Sequence, residues 1–499
     1  MILKALYEYY HRCRKLYPDE MPALGFERVT MDYVIVIKED GTFANIILSD
    51  YDCIAPRAVS NKTGTKAPAN ILWDSAKYML NAGADDIDEL SNHCEMVLDM
   101  ATELSTIFPN RKDFTALLKF YQKKEYKKLE KHELAKKLIK SKAITFMLKG
   151  ENRLVCSESA ELEDYISHLA QKNPKGLCLV TGKEANIFLT SGGVSLGMAK
   201  NGKLVSFMED KGYDSHGKKQ GENAPISIYA EYAYTAAVKR LTRSAKNTFN
   251  VKGKLDLDKT LVFWSSATDK EKSEALETKV SLFAHLSQDN PDDVDSVKAF
   301  FSQVKKEGVT GTYGKETFYF LELVPTTKGR IAISFWNECS VKDFADIVLR
   351  HMDAMSIEAN RKIKYDALSM VNSVSLCKID NGFPAYDRLP NLIDSVFRSI
   401  FTGMPYPEVL FKTCLSRINA EQNRPNPKSE LSEYGRFENR DAERAAIVKA
   451  YLYRNVKQNI NKMLNTEIKD RGYLCGRLFA VLERAQELAN HETSNEWRS

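Results

Sequence analysis

The chain has 499 residues, which is too long for one hydrophobic core and predicts two or three domains. Hydrophobic residues make up 43% and charged residues 28%, as in ordinary globular proteins, and no window is apolar for the length of a membrane span. A net charge of +5 excludes a polycation but permits local basic patches. Because the N-terminal segment is charged throughout and lacks a signal peptide's apolar core, we expect a cytoplasmic protein with no membrane partner.

The N-terminal part is predicted to mix helices with antiparallel hairpins. Apolar residues at helical spacing predict helices, and short β-branched and aromatic runs bounded by turn residues predict strands. Helical patterns cover residues 3–13, 71–80 and 85–149, and strand-like runs occur at 33–37, 43–48, 260–265 and 318–336 and as short pieces within 152–205. Residues 56–70 form a polar loop rich in Gly, Pro, Thr, Lys and Arg.

Beyond Asp343 strand signals nearly vanish, and helical periodicity predicts an all-α C-terminal bundle. Helical segments are predicted at residues 343–368, 391–402, 408–422 and 441–489, with a linker at 419–435. The predicted fold class is therefore α+β, with antiparallel hairpins and helices followed by helices alone. We expect a mixed region at residues 1–345, with a sub-boundary near 150, and a helical region at 346–499.

No catalytic or cofactor motif is found in the sequence. The run from Gly176 to Lys183 differs from a phosphate loop, since five residues separate its glycines and Glu184 stands where Ser or Thr is needed. The nine cysteines have no zinc spacing, and the eight histidines form no HExxH pair. We expect no enzymatic activity, no cofactor and no metal, although sites assembled from distant residues escape a search of this kind.

Residues 119–142 carry ten lysines against Glu125, Glu130 and Glu133. One interpretation is a solvated helix face with local Glu–Lys pairs. The other is a track for phosphates, because seven positive charges remain when each glutamate is paired. Both interpretations stay open on the sequence alone. The candidates for such a track are Lys123, Lys124, Lys127 and Lys128.

Two polar loops, residues 62–70 and 213–223, are candidates for nucleic-acid contact. Glycines allow close approach of a backbone, lysines suit phosphates, amides suit base edges, and Tyr or His can stack on bases. Composition alone is equally typical of ordinary surface loops. The candidates are Asn70, Gln220 and Asn223 for base edges, Lys62, Lys66, Lys218 and Lys219 for phosphates, and Thr63, Tyr213 and His216 as further contacts.

Short motifs follow one another along nearly the whole chain. They include MILKALYEYY at residues 1–10, NILWDSAKYML at 70–80, CLVTG at 178–182, NAPIS at 223–227, MPYP at 404–407 and CGRLFAVLE at 475–483. Each motif is weak alone, but the series in this order resembles the large subunit of the subtype I-C CRISPR surveillance complex (Cascade), the Cas-eight-c or Csd-one family.

The resemblance implies a non-catalytic subunit that reads a protospacer-adjacent motif (PAM) on double-stranded DNA, helps to open the duplex for crRNA pairing and supports recruitment of a separate helicase-nuclease. The implied partners are target DNA, crRNA, and the backbone and crRNA-processing subunits of Cascade. Two alternatives are a stand-alone nuclease and a purely structural subunit that contacts only proteins.

Two segments depart from the family pattern. Residues 191–203 fit it poorly, and Glu209 and Asp210 would repel phosphates, so direct DNA contact by residues 208–210 is not expected. The family also implies a longer helical region after the GRLFAVLERAQ segment at residues 476–486 than this chain carries. We therefore expect either a shortened C-terminal region or a small subunit made separately.

Overall fold

A computed structural model describes residues 1–49, 52–59, 68–82, 87–129, 132–208, 212, 215–251, 259–284, 291–359, 363–380, 383–422 and 441–496. The chain divides into two compact units. The first comprises residues 1–281 and 315–341, and the second comprises 282–314 and 342–499. Residues 282–314, which fall inside the predicted N-terminal region, are thus grouped with the C-terminal helices.

The first unit is mixed α and β. Its helices are α1 (Ile2–Leu16), α2 (Ala76–Met79), α3 (Ile87–Ile107), α4 (Lys112–Gln122), α5 (Tyr126–Leu129), α6 (Ala135–Leu138), α7 (Ala160–Ala170), α8 (Ile228–Arg243) and α9 (Lys270–Ala284). Its strands are β1 (Phe26–Thr30), β2 (Tyr33–Ile37), β3 (Phe43–Leu48), β4 (Asp52–Pro56), β5 (Ile144–Leu148), β6 (Lys175–Leu177), β7 (Glu184–Asn186), β8 (Val194–Leu196), β9 (Ala199–Gly202), β10 (Thr248–Val251), β11 (Lys259–Ser265), β12 (Thr317–Thr327) and β13 (Arg330–Ser340).

The strands form small sheets rather than one large sheet. The largest has the order β10-β11-β12-β13 and is antiparallel throughout, and β1 pairs with β4 antiparallel. In a three-stranded sheet of order β3-β2-β5, the pair β2–β5 is parallel. The sequence YVIVI of β2 is buried at every position, as a central strand covered on both faces requires.

The helical pattern predicted to run to Lys149 ends too late. Residues Ile144–Leu148 form strand β5, since the run ITFML is rich in the β-branched and aromatic residues that fit a buried sheet. The prediction for residues 152–205 also missed helix α7, whose N-cap Ser159 accepts a hydrogen bond from the Leu162 amide. Periodicity alone did not separate short buried helices from short buried strands.

Helix α8 lies in a hydrophobic core of the first unit. Its buried residues Tyr234 and Val238 share this core with Leu6 and Tyr9 of α1 and with Trp264 of β11. The core therefore fixes one face of α8. Residues on its other faces, such as Lys239 and Arg243, line a surface cavity.

The second unit is mainly helical. It contains α10 (Pro291–Glu307), α11 (Val341–Met355), α12 (Ala367–Val374), α13 (Leu392–Thr402), α14 (Glu408–Gln422), α15 (Asp441–Tyr451) and α16 (Arg471–Glu496). One antiparallel pair, β14 (Leu376–Asp380) with β15 (Phe383–Asp387), interrupts the helices that the sequence predicted. The Asn381-Gly382 dipeptide between these strands is a strong hairpin signal that could have revealed them.

The predicted α+β class is confirmed, with antiparallel sheets in the N-terminal half and helices towards the C-terminus. Across the described ranges, no helix has both the length and the apolarity needed to cross a membrane. In the same ranges, no three His, Cys, Asp or Glu side chains are grouped as metal ligands.

Candidate nucleic-acid interface

A buried ion pair joins the end of β4 to helix α8. Arg57 follows β4, and its two terminal nitrogens contact the two carboxylate oxygens of Glu231 at 2.5 and 3.1 Å. Their side chains are only 9% and 3% exposed. Burial alone would raise the pKa of Glu231, but the charge and hydrogen bonds of Arg57 outweigh it and lower the pKa below its usual value. Glu231 is therefore a carboxylate at neutral pH.

Two glycines make room for this arrangement. A Cβ at Gly192 would lie 1.1 Å from Nη2 of Arg57, and a Cβ at Gly193 would lie 1.5 Å from Oδ1 of Asn201. The amide of Gly192 and the hydroxyl of Ser191 also donate to Glu231, at 2.9 and 2.8 Å. The sequence Ser191-Gly192-Gly193 is thus required for packing around the ion pair and Asn201.

An open cavity of about 750 Å³ lies beside Arg57, between strand β1, the segment around β8 and β9, and the last turns of α8. We call it the basic cleft and define it by four cations that line it with Arg57: Arg28, Lys200, Lys239 and Arg243. Glu27 is the acidic residue of its lining. The concave surface therefore carries an excess of positive charge, which suits phosphates.

The four cations differ in how far they are neutralised. Lys239 pairs with Glu27. Arg28 is 4.0 Å from Asp52, at the limit of an ion pair, and donates to the backbone oxygen of Asp19 at 2.9 Å. Lys200 and Arg243 are exposed and form no ion pair with any described residue. The uncompensated charge of the cleft is thus concentrated at Lys200 and Arg243, with Arg28 next.

Described residues on both sides of the first predicted loop, Val59 and Trp73, line this cleft. Val59 lines both the cleft and a neighbouring cavity of about 440 Å³, and its amide donates to Oδ1 of Asn70 at 2.9 Å. Nε1 of Trp73 donates to the backbone oxygen of Pro56 at 2.6 Å. The motif at residues 70–80 therefore holds both the base of the loop and the strand end that carries Arg57.

This placement changes the role expected for Asn70. The residue is 4% exposed and its side-chain oxygen is engaged by Val59, so it does not present its amide to a base edge. Sequence alone could not show this, since an Asn before a buried helix and an Asn on a loop tip look alike. The other candidates of this loop, Lys62, Thr63 and Lys66, lie outside the described residues.

The second predicted loop is attached to the neighbouring cavity. The Gly221 amide donates to the oxygen of Leu189 at 3.0 Å, and a Cβ there would lie 2.0 Å from the oxygen of Phe188. Phe188, Leu189 and Thr190 all line that cavity. Gly221 is therefore needed for the close approach that fixes this loop against residues 188–190.

Within this loop, the cations are the most accessible candidates. Lys218 and Lys219 are exposed, as is His216, whose φ of 64° is unusual for a residue with a side chain. Gln220 is half-buried beside the hydroxyl of Thr190 at 3.3 Å, and Asn223, also half-buried, donates to the backbone oxygen of Gln220 at 3.0 Å. Tyr213 lies outside the described residues.

Both predicted loops thus adjoin one surface. Val59, at the base of the first loop, and Thr190, beside the second, line the same cavity, and Arg57 lines this cavity and the basic cleft. This could not be predicted from the sequence, because the loops are about 150 residues apart. The cleft residues Arg28, Lys200, Lys239 and Arg243 were missed as candidates, since they come from separate elements and form no run.

The candidate phosphate track is a different kind of surface. Lys123 is 3.9 Å from Asp40 and Lys128 is 2.7 Å from Glu125, so two of its four lysines have acidic partners. Lys124 and Lys127 are exposed and form no ion pair within the described part of the chain. Among the described residues, two lysines of the candidate track thus form local pairs and two do not, and neither interpretation is excluded.

The chain matches the model of one family of known proteins over nearly its whole length. The model of the family described as CRISPR-associated protein (Cas_Csd1) matches residues 6–498. The chain belongs to this family. The resemblance noted from the ordered motifs is confirmed, and membership implies a place in a Cascade-type CRISPR complex. No individual curated protein matches the chain.

The Met404–Pro407 motif of this Csd1 chain has a structural role in the second unit. Tyr406 donates from its hydroxyl to Nδ1 of His351 at 2.6 Å, while Nε2 of His351 faces the oxygen of Tyr365 at 2.7 Å. Burial, together with the charge of Arg454, lowers the pKa of His351 to about 3. Because both ring nitrogens are occupied and the ring is neutral, this histidine stabilises the helices and is unsuited to proton transfer.

Proposed function

We propose that this chain is the non-catalytic large subunit of a type I-C Cascade complex and that it contacts double-stranded DNA at the PAM in the cytoplasm. The observation that carries the proposal is the basic cleft together with the neighbouring cavity, which shares Arg57 and Val59 with the cleft and adjoins the second loop. Family membership across residues 6–498 supplies the context of a CRISPR complex. Duplex opening for crRNA pairing and support for a separate helicase-nuclease belong to the same proposal.

Each group of residues has a distinct part in this proposal. Arg28, Lys200 and Arg243 contact phosphates, because their charges are the least neutralised ones of a concave surface. Lys218 and Lys219 extend the phosphate contacts from the second loop. These contacts set affinity and register but carry no sequence information.

Base reading is assigned to Gln220 and Asn223. The paired donor and acceptor contacts that distinguish base pairs in the major groove are made by exchange of the present hydrogen bonds, from Thr190 to Gln220 and from Asn223 to the Gln220 backbone. Asn70 acts instead as a positioning residue, since it fixes Val59 at the base of the first loop. Arg57 and Glu231 hold the cleft in shape from beneath.

The test starts from the complex co-purified with crRNA and its backbone subunits, bound to a duplex library with a randomised PAM. We expect the wild type to enrich a narrow set of sequences. Gln220→Ala and Asn223→Ala should broaden the set of enriched PAM sequences. Each lost bidentate contact should reduce the discrimination between base pairs by about 1–3 kcal/mol. Gln122→Ala, on an exposed glutamine of α4 away from both loops, is the matched control.

Uniform weakening across all PAM sequences would show that Gln220 and Asn223 are not readers. A library with no enriched sequence for the wild type would contradict PAM recognition itself. Metal-dependent cleavage of the duplex by the chain alone would replace the proposal with the nuclease alternative.

A further inference from the structure

A second cavity, of about 360 Å³, opens beside the basic cleft and takes no part in the proposed function. We call it the side pocket. One wall is the segment from Glu20 to Arg28, and the other is the face of α8 from Tyr232 to Ser244. Its volume falls within the range of about 300–1,000 Å³ that small-molecule pockets occupy.

The floor of the side pocket is apolar and well packed. Met21 and Phe26 are 1% and 4% exposed, and Tyr10 is satisfied by a hydrogen bond of 2.7 Å to the oxygen of Pro22. Tyr232 and Ala236 of α8, both half-buried, complete this surface. An aromatic ring that enters here can therefore displace water without leaving a polar group of the floor unpaired.

The rim of the side pocket is charged, with its acids neutralised. Glu20 pairs with Arg240 at 2.8 Å, and Glu27 pairs with Lys239. Arg243 forms no ion pair with any residue that the structure describes. Arg28 lies 4.0 Å from Asp52, at the limit of an ion pair, and donates to the backbone oxygen of Asp19. The net charge available to a ligand at the rim is thus positive.

The side pocket and the basic cleft are neighbours that share part of their lining. Glu27, Arg28, Arg57, Lys239 and Arg243 line both of them. A chain of phosphates that lies in the cleft would pass the mouth of the pocket, and an apolar floor under a cationic rim matches the two parts of a nucleotide.

We propose that the side pocket takes one unstacked nucleotide from the strand bound in the basic cleft. The base lies between Phe26 and the Tyr232–Ala236 face of α8, and its phosphate contacts Arg28 and Arg243. Extruding one nucleotide costs a few kcal/mol of stacking in general, which burial of the base against aromatic side chains offsets. This inference rests on the proposed function, since the cleft must first hold a strand.

The experiment uses the assembled complex and target duplexes in which one nucleotide at a time is made abasic. The target strand, the displaced strand and the guide RNA are scanned separately, which identifies the source of the nucleotide. The complex is compared with the Ala236→Phe variant, which fills the pocket, and with Ala245→Phe, an exposed position just beyond α8 that does not line it. Ala236→Leu is the smaller filling variant if Ala236→Phe unfolds.

For the wild type and Ala245→Phe we expect one position, in one strand, at which the abasic site weakens binding about five- to tenfold. With the intact strand, the Ala236→Phe complex should bind more weakly than the wild type by a similar factor. An abasic site at that position should not weaken its binding further, because the filled pocket cannot take up a base.

Two other outcomes overturn the inference in distinguishable ways. If replacing Arg28, Lys200 and Arg243 by Ala weakens binding but no abasic position responds to the filled pocket, the side-pocket proposal fails and the proposed function stands. If the assembled complex with the wild-type chain does not bind the duplex at all, both fail together.

Discussion

The basic cleft and the lysine-rich segment at residues 123–128 carry similar numbers of cations but differ in their setting. Lys128 pairs with Glu125, three residues earlier, and Lys123 is 3.9 Å from Asp40, which lies between β2 and β3. The four lysines of this segment are exposed. In the cleft, Lys200 and Arg243 have no acidic partner among the described residues and lie on a concave wall above a buried ion pair.

This difference shows that a count of charges in the sequence is a poor guide to a binding surface. The densest run of lysines is partly neutralised by its own neighbours. The cations of the cleft are spread from residue 28 to residue 243 and come together only in the folded chain. Charges that converge on a concave surface act on the same phosphates, whereas charges on an open face act separately.

The largest effect is expected on stability, at the buried ion pair between Arg57 and Glu231. Glu231→Ala leaves the charge of Arg57 buried without a partner, so the free energy of unfolding should fall by about 3–5 kcal/mol. Urea unfolding followed by tryptophan fluorescence measures this loss. Glu163→Ala, on the surface of α7, is a control that should change stability by less than about 0.5 kcal/mol.

The pH dependence of the same pair gives a second check on this prediction. The folded-state pKa of Glu231 is lowered, so its contribution is fully present above the unfolded pKa of about 4.3 and is lost as pH falls through the folded value. The stability gap between the wild type and Glu231→Gln should therefore narrow below about pH 4. If the difference in stability between the wild type and Glu231→Gln widens as pH falls, Arg57 and Glu231 do not form an ion pair.

The next effect concerns the cleft itself. Replacing Arg28, Lys200 and Arg243 together by Ala should reduce the slope of log affinity against log salt by about 2.7, since each lost phosphate contact removes about 0.9. Filter binding or anisotropy of the assembled complex with duplex DNA, from low to physiological salt, measures the slope. An unchanged slope would remove the cleft from the DNA-contacting surface.

The loop at residues 213–223 should contribute less. Lys218→Ala with Lys219→Ala removes two exposed charges, and the slope should fall by about 1.8. The same salt titration measures it. If these two lysines contact a protein subunit instead, affinity for DNA and its salt dependence will stay as in the wild type while assembly of the complex weakens.

The smallest effect is expected in the lysine-rich segment. Lys124→Ala with Lys127→Ala removes the two lysines that form no ion pair with a described residue, and we expect the slope to change by less than about 0.9, the value of one phosphate contact. Salt titrations of this variant and of the cleft variant, run side by side, make the comparison direct. If the slope changes more in the Lys124 and Lys127 variant than in the cleft variant, the lysine-rich segment and not the basic cleft is the main phosphate-binding surface.

Much of the fold could be predicted from the sequence, but its close contacts could not. Helix α1, the hairpin of β2 and β3, and the strands β11 to β13 carry clear periodicity, because each buries one face or both over several residues. Strand β5 was missed because its apolar run is short, and helix α7 was missed although Leu162, Tyr165 and Ile166 are at helical spacing.

The candidate site was predictable only in its loops. Polar residues and glycines marked residues 62–70 and 213–223, but nothing local marked Arg57 or Glu231, which are 174 positions apart. Asn70 shows the converse difficulty, because its residue type suits base reading while its position in the fold buries it. Partners distant in sequence decide both cases.

The central claim is that DNA lies in the basic cleft, and photo-crosslinking tests it most directly. The assembled complex is bound to a PAM-containing duplex with photoreactive bases, and crosslinked peptides are identified by mass spectrometry. We predict crosslinks in peptides that contain Arg28, Lys200 or Arg243 and in the loop at residues 213–223. Crosslinks confined to the lysine-rich segment at 123–128, or to the second unit, would contradict the account.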